Sequence, residues 1–549
     1  MTDRPAANLP LYLRDPLFSC YVANPWVPRN TFIGQAPDPQ PLPRFADARA
    51  LLPAPHWQGH QAEIDCYWKA WEIAFGHLRT PTAENGFVAP YIDSAFNGHL
   101  FLWDSVFTMM FGRYGARVFD FQRTMDNLYC KQHPDGFICR EIDEADGQDC
   151  FHRHDPSSTG PNVFAWGEWE HYRTFADRDR LAAVFPVLLA YHQWLRDYRT
   201  WLDGTYWSCG WASGTDNQPR VRQGYSPAHS PAQQAWLDAC LHAILSARVL
   251  LAMGKELGMN QHTDFSSFLL AQPSGSANRP RPSVASLKPL AQLAQEAAHL
   301  EQIVNQRMWD DHRAFYFDLQ HDGERNHTMS VSAYWALLAG IVPPDRLPRF
   351  LAHLADPARF NRPHRVPSLP ADDPAYAPHG NYWCGGIWEN TNYMVLRGLS
   401  LVEHDDLAHE IGLNHVQNVA RVFTETGTIW ENYAPESAKP GDPAQPDFVG
   451  FGGIGPVAVL LEYVFGLRPQ AQHHRLVWDL RLLEEHSVQR YPIGAGGLLD
   501  LHCQARTSPA DEPIVQASSN ITLELELRWP GGRQVRQLTR QPQTQITQL

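Results

Sequence analysis

No apolar run in the 549-residue chain approaches the ~20 residues that a membrane-spanning helix needs. The opening MTDRPAANLPLYLRD lacks a basic start followed by an apolar stretch. No secretory leader is read there, and the cytoplasm is the expected compartment. Nine cysteines are scattered without CxxC spacing or close pairs, which fits reduced thiols rather than a disulfide frame. Positive charge is short: 45 Lys and Arg face 59 Asp and Glu, a net −14. That balance excludes nucleic acid as a main partner. There is no Walker motif, and no GxGxxG opens a helix after a strand; GFGGIGPVA follows no strand pattern and reads as close helix-entry packing. The histidines of CFHRHD (Cys150, His152, His154, Asp155) lack further ligands in tetrahedral spacing. DDPAY and DDHRAFYFD miss the EF-hand spacing. No metal and no cofactor is expected.

What is abundant is tryptophan, nineteen residues of it. Most must serve helix packing, but many stand beside Gly, Pro and Asp rather than in periodic runs. That placement suits a concave ligand site.

Three regions follow from composition and period. Residues 1–58 are Pro-rich and short of helical spacing, an extended arm anchored by FIGQAP and PLPRFADARALL. Residues 59–466 carry about twelve helical patterns. These run near 60–78, 101–111, 115–130, 162–176, 179–200, 230–258, 283–307, 328–339, 345–355, 386–399, 403–425 and 452–466. GRYG, DRD, GIVPPD and GLSLVEHDD break them. Residues 467–549 alternate apolar and polar positions, as in ITLELELRW, and predict a small β module covering one edge of the helical domain. The Ser-, Pro- and Gln-rich stretch 259–282 reads as a surface insertion.

If successive helices alternate in direction, the loops after odd-numbered ones share one end. Those loops are long, aromatic and acidic, whereas the opposite connections are mostly short. The pattern predicts an all-α toroid with its site at one mouth. Two acids stand out in these loops: Asp216 in GWASGTDNQPR and Glu431 in TIWENYAPES. Inverting hydrolysis of a glycoside needs two carboxyls ~6.5–9.5 Å apart, one protonated acid and one ionised base. Asp216 beside Trp211 suits the acid, whose pKa must be raised. Arg220 would tend to lower it unless it points at substrate. Glu431, between Trp430 and Tyr433, suits the base. The plain alternative for each is a solvated or capping loop acid. Arg140 and Glu141 either bind hydroxyls or a substrate carboxylate, or pair with each other.

Together WDSVF, QHPDGF, SGTDNQPR, NQRMWDDHRAFYFD, PSLPADDPAY, GNYWCGGIW, WENYAPES and FVGFGGIGPVAVL carry a resemblance across roughly 60–466. The chain resembles the trehalase-like and mannosyl-oligosaccharide-glucosidase-like glycosidases of families 37 and 63. It looks closest to the compact bacterial branch with mannosylglycerate and glucosylglycerate hydrolases. The resemblance implies an (α/α)6 barrel and inverting hydrolysis of an α-glycoside. It puts the acid on Asp216, the base on Glu431, and sugar-hydroxyl contacts on Trp103 and Asp104, with Glu436 a decoy. Trp383, Trp388 and Asn392 fall in a substrate-lining segment. Gln132, Trp211, Gly214, Arg220 and Tyr433 complete the expected binding set. Gln218 stands where Ser is usual, and 436–449 replaces a shorter turn after the base.

The expectation is a metal-independent inverting α-glycosidase acting on a small soluble glucoside or mannoside, with no nucleic-acid or membrane partner. The alternatives are a phosphorylase or isomerase on the same barrel, or a carbohydrate-binding protein with a decayed site. Phosphorolysis would need an Arg, Lys and His pocket beside Asp216.

Overall fold

The computed structural model describes residues 23–94, 97–263, 265, 288–540 and 547–548. The predicted insertion at 259–282 falls almost wholly outside that range.

Among the described residues, twelve helices can be followed besides the single turns Phe45–Ala48 and Gly210–Ser213. They are α1 (Gln61–Gly76), α2 (Leu102–Gly112), α3 (Thr124–Tyr129), α4 (Phe164–Phe175), α5 (Arg178–Tyr198) and α6 (Leu237–Glu256). Then come α7 (Pro289–Ile303), α8 (Trp335–Leu338), α9 (Leu347–Ala355), α10 (Glu389–Leu401), α11 (Asp405–Thr426) and α12 (Ile454–Val464, wound as π-helix). The breakers act as expected. Ala176 takes a left-handed conformation at φ 55°, and the Asp177 side chain then caps α5 by accepting from the Arg180 amide. Two predicted helices come out shorter. The segment predicted as 115–130 is α-helical only from Thr124, after a 3-10 turn at Phe121–Arg123, and Phe119 and Phe121 pack edge-to-face at 4.9 Å ahead of it. The 328–339 pattern yields one 3-10 turn, Val331–Tyr334, before α8.

The even-numbered helices contact one another in cyclic order: α2 with α4, α4 with α6, α6 with α8, α8 with α10, α10 with α12, and α12 with α2. Odd-numbered helices pack outside them, α1 on α11 and α12, α5 on α4 and α6, α11 on α10 and α12. Composition explains the sorting. α12 is buried at every position, and α2 at all but Trp103. α11 instead buries a stripe, Ile411, His415, Val419 and Val422, and leaves its other face to solvent. α6 is long and apolar enough to cross a bilayer by length and mean hydropathy. Here it belongs to the inner cycle, with α4, α5, α7 and α8 against it. Close approach demands glycine at Gly453, where a Cβ would stand 2.6 Å from the Phe111 ring.

A lattice of buried charge ties four inner helices. Arg113, just past α2, meets Glu462 of α12 at 2.5 Å, and Arg397 of α10 meets Glu170 of α4 at 2.6 Å. Longer diagonals close the square, Arg113 to Glu170 at 3.6 Å and Arg397 to Glu462 at 3.9 Å. Tyr114 and Tyr393 hydroxyls donate to the Glu462 carboxylate. Burial alone would raise the Glu170 pKa, but Arg397, Arg173 and Arg113 outweigh it and hold it near 2.

Strands β1 (Ala54–Trp57), β2 (His99–Phe101) and β3 (Glu141–Asp143) lie within the helical span or before it. The C-terminal strands are β4 (Leu467–Gln470), β5 (Arg475–Asp479), β6 (His486–Ile493), β7 (Gly497–Cys503), β8 (Val515–Ser519), β9 (Leu523–Trp529), β10 (Gly532–Leu538) and β11 (Thr547–Gln548). They form a five-stranded sheet in the order β1-β6-β7-β8-β11 and a four-stranded sheet in the order β10-β9-β5-β4. Ladders are antiparallel except β9 with β5. In β7 the burial alternates along the strand, so its apolar residues face inward. β1 therefore joins the N-terminal segment to the C-terminal sheet, through Ala54↔Gln489 to Trp57↔His486. Upstream, Trp26 and Phe32 are buried, and the Asn30 amide donates to the Tyr129 carbonyl and to Gln132.

Glu170→Gln takes from Arg397 its nearer counter-charge, leaving Glu462 at 3.9 Å, and a loss of about 3–5 kcal/mol is expected. Because its folded pKa is depressed, this contribution is fully present above the unfolded value of 4.5 and fades as pH falls toward about 2. Urea melts of wild type and variant should show their stability gap closing across that window; a pH-independent gap would refute the account.

Candidate active site

Five of the six segments leading into inner helices line one cavity of about 470 Å³. Phe101, Trp103 and Asp104 come from the start of α2, and Arg140, Gly160 and Pro161 from the approach to α4. Trp211, Gly214 and Asp216 precede α6; Tyr382, Trp383 and Trp388 precede α10; Glu431, Gln445, Pro446, Phe448 and Phe451 precede α12. The remaining segment, before α8, braces the acid loop from behind. Asp318 accepts from Arg220, and the Ser330 hydroxyl donates to Gln218.

The Asp216 loop is held at every neighbouring residue. Gly210–Ser213 make one helical turn that Gly214 ends at φ 73°. The Trp103 indole lies against Gly214, so a Cβ there would meet the ring at 3.1 Å. Thr215 is bonded to Ser213 and to Arg220, and Asn217 donates to the Asn381 carbonyl while accepting from the Trp383 amide. Gln218, in the place where Ser was expected, is a buried bridge from Ser330 to the Ser368 carbonyl. Among the described residues no other side chain hydrogen-bonds the Asp216 carboxylate. Burial pushes its pKa up to about 6, with Glu141 adding and Arg140 opposing.

Glu431 is buried and held at both oxygens. The Tyr382 hydroxyl donates to Oε1 at 2.9 Å and the Gln445 amide to Oε2 at 3.2 Å. Burial raises its pKa and the Asp216 charge adds to that, while these two hydrogen bonds favour the ionised form. Asp104 is the third carboxyl of the cavity. Burial pushes it up to about 7, reinforced by Glu431 and Asp216 and opposed by Arg140.

Aromatic walls frame them. Trp383 and Trp388 stack at 4.0 Å with 2° between planes, and Tyr382 meets Trp388 edge-on. The Arg140 guanidinium lies 4.6 Å from the Phe151 ring and 5.5 Å from Trp211, and its Nε donates to the Ser157 carbonyl.

Of the residues expected from sequence, Asp216, Glu431, Trp103, Asp104, Trp211, Gly214, Trp383 and Trp388 line the cavity. Four lie elsewhere. Gln132 is buried between Asn30 and the carbonyls of Gly136 and Val187. Arg220 points away, with both its guanidinium edges on Asp238 and Asp318, so it positions the loop rather than substrate. Asn392 donates to the carbonyls of Val366 and Trp388. Tyr433 pairs with Ile387 in a β-bridge, and its hydroxyl accepts from the Trp430 amide beside Glu431. Glu436 is bound by Arg362 and Tyr376, which hold its carboxyl below the usual range.

Tyr382, Gln445, Pro446 and Phe448 were missed. Tyr382 sits one residue before a Trp that was singled out; no pattern marks its φ of 60°, a left-handed conformation costly for an aromatic residue. The last three belong to the long turn after the base, where length alone had been noted. In CFHRHD, Asp155 caps the turn Pro156–Ser158 by accepting from the Ser157 amide. Among the described residues, the one group of His, Cys and carboxylate atoms near enough to share an ion is His99, Glu141 and Cys150.

Known proteins place this geometry in a family. The profile of the mannosylglycerate hydrolase MGH1-like glycoside hydrolase domain matches residues 98–448. The mannosylglycerate hydrolase of Thermus thermophilus is 28% identical over 54% of this chain and 80% of its own length. A probable mannosyl-oligosaccharide glucosidase of Schizosaccharomyces pombe is 27% identical over 47% of this chain. The chain spans 32% of the length of that yeast protein and 64% of an uncharacterised Borreliella burgdorferi relative. The crystal structure of the Thermus thermophilus mannosylglycerate hydrolase of glycoside hydrolase family 63, in complex with glucose, shares the fold. It aligns with a TM-score of 0.54 and 20% identity over 71% of this chain and 99% of that one. With 351 consecutive residues (98 through 448) under one family profile, the chain belongs to the mannosylglycerate hydrolase MGH1-like glycoside hydrolase family.

Proposed function

We propose that the protein hydrolyses a small α-glucoside or α-mannoside with inversion, Asp216 acting as general acid and Glu431 as general base. The observation that carries this is the facing of these two carboxyls, from distant parts of the chain, into one aromatic cavity. The relatives' names support a glycosidic substrate. Cyclic contacts of the inner helices, and the fold shared with the family 63 hydrolase, support an (α/α)6 barrel at 59–466. The β-strands after 466 support a separate accessory module, and an arm at 1–58 is the reading for the N-terminus. Eight described cysteines stand unpaired, which supports a reducing compartment such as the cytoplasm.

The two roles differ by environment. Among the described residues Asp216 has no side-chain donor to stabilise its ionised form, and burial favours the protonated acid that a leaving oxygen requires. Glu431 accepts two hydrogen bonds that favour the carboxylate and aim it. A water between base and anomeric carbon would lose a proton to Glu431 while Asp216 protonates the departing oxygen. Trp383, Trp388 and Trp103 offer apolar faces to sugar C–H groups. Asp104 offers a carboxylate to hydroxyls. Phosphorolysis is disfavoured: among the described lining residues Arg140 is the lone cation, and it is shared with Glu141 at 3.2 Å.

Asp216→Asn and Glu431→Gln should each lower turnover by about 10²–10⁴-fold while preserving the melting temperature within a few degrees. A panel of trehalose, kojibiose, nigerose, sucrose, α-mannobioses, glucosylglycerol, glucosylglycerate and mannosylglycerate, followed by proton NMR, reads both substrate and first anomer. Retention of the bond's anomeric configuration would overturn inversion, and near wild-type rates in either variant would overturn its assignment.

The pH profile of kcat/KM supplies a second check. Activity needs Glu431 ionised and Asp216 protonated, so the basic limb should fall between about pH 6 and 7, where Asp216 and Asp104 lose protons. Tyr382→Phe removes a bond to the ionised base and should move the acidic limb to higher pH. An unmoved acidic limb would separate Tyr382 from the base.

A further inference from the structure

At the cavity rim β2 and β3 pair antiparallel, His99 opposite Asp143 and Phe101 opposite Glu141. The chain then turns back, and a bridge of Ile142 with Asp149 adds a third line of backbone. That register sets Cys150 opposite Glu141, with the Cys150 amide donating to the Glu141 carbonyl at 3.0 Å. His99, Glu141 and Cys150 thus share one face of a three-line ribbon, and their Nδ1, carboxylate and Sγ atoms lie within 4.8 Å of one another. Phe101 and Arg140, the immediate neighbours of this trio, line the cavity.

The two oxygens of Glu141 are divided. Oε2 faces the Arg140 Nη2 at 3.2 Å, while Oε1 faces the His99 Nδ1 at 2.5 Å. Arg140 can therefore hold the far oxygen in place while the near one serves a different partner, the arrangement that orients a ligating carboxylate. Around the Cys150 sulfur, the charges of Glu141, Asp143 and Asp149 make the field negative, with Arg140 opposing. Such a field disfavours a bare thiolate and favours a bound dication, which would bring the thiolate with it. The His99 side chain is about a third exposed, so the place is reachable from solvent.

We propose that His99, Glu141 and Cys150 form a rim site for one zinc-class divalent cation. One nitrogen, one oxygen and one sulfur donor suit a borderline ion and not calcium or magnesium, which take oxygen ligands. Bond lengths of roughly 2.0–2.3 Å require the three ligand atoms to stand about 3.3–3.8 Å apart in a tetrahedron. The ion would replace the proton between His99 and Glu141, spread that pair and draw in the sulfur. The fourth position would face the rim and take water. None of the three residues serves as acid or base in the proposed hydrolysis, so the site stands independently of that reading.

The test uses the full chain stripped with a chelator, and zinc titrated in competition with a chromophoric chelator. One zinc per chain is expected. Cys150→Ser and His99→Gln should each weaken it by at least about tenfold. Cobalt in place of zinc should give a thiolate-to-cobalt charge-transfer band, absent in Cys150→Ser. Wild-type binding retained in either variant, no saturable binding, or a cobalt spectrum without the thiolate band overturns the site. Circular dichroism melts confirm that each variant is folded. If Cys150→Ser is not, the cobalt band of the wild type and the His99→Gln titration decide.

Discussion

Two arginines and two glutamates with almost no access to water set the frame of this molecule. Arg113 just past α2, Glu170 of α4, Arg397 of α10 and Glu462 of α12 make one another's charge tolerable, with Arg173 adding to Glu170. A buried charge with a missing partner is so costly that the four helices are tied to one mutual arrangement. Nine residues separate Arg113 from Asp104, about 14 Å along a helix. The lattice therefore sits well below the cavity floor and fixes where the helices begin above it. Loops that start from fixed helix ends can be long without being loose.

Above that frame, the chemistry rests on crowding acids together. Asp104, Asp216 and Glu431 each hold their proton more tightly because of burial; Glu431 and Asp216 add to this at Asp104, Asp216 adds at Glu431, and Glu141 adds at Asp216. Among the described residues, Glu431 alone of the three receives a side-chain donor that works against this. Among the described residues Asp216 is left without a side-chain donor while Glu431 is gripped at both oxygens, and the proposed division into acid and base rests on that asymmetry. Arg140 moderates the whole set from the rim, since it opposes the upward shift of both Asp104 and Asp216.

Much of this was legible in the chain because it is written at short range. Helical period and breakers mark out twelve helices, and loop parity sets Asp104, Asp216 and Glu431 at one end. Eight expected site residues line the cavity because their motifs are loops that precede inner helices. Gln132, Arg220, Asn392 and Tyr433 stand in the same motifs, yet point elsewhere. Adjacency in sequence says nothing of direction when a side chain has a distant partner. Arg220 is claimed by Asp238 and by Asp318, 98 residues on, and that pairing has no local signature. Tyr382 escaped notice for the same reason, because its partner Glu431 is 49 residues away. The buried lattice was equally invisible, as four ordinary charges in four helices.

Asp216 and Glu431, the proposed acid and base, are also joined by a shorter route than the helical frame. Asn217 grips the backbone of Asn381 and Trp383, and the next residue between them, Tyr382, grips Glu431. Three consecutive residues thus form a strap between the two halves of the reaction. Trp388 fastens that strap by donating to the Tyr382 carbonyl. The gap that admits a water molecule is in this sense a local dimension, set like the span of a caliper by one short bar. A slight shift of the bar would open or narrow both jaws together. Rate and stereochemistry would then change as a single property, with the barrel beneath them undisturbed.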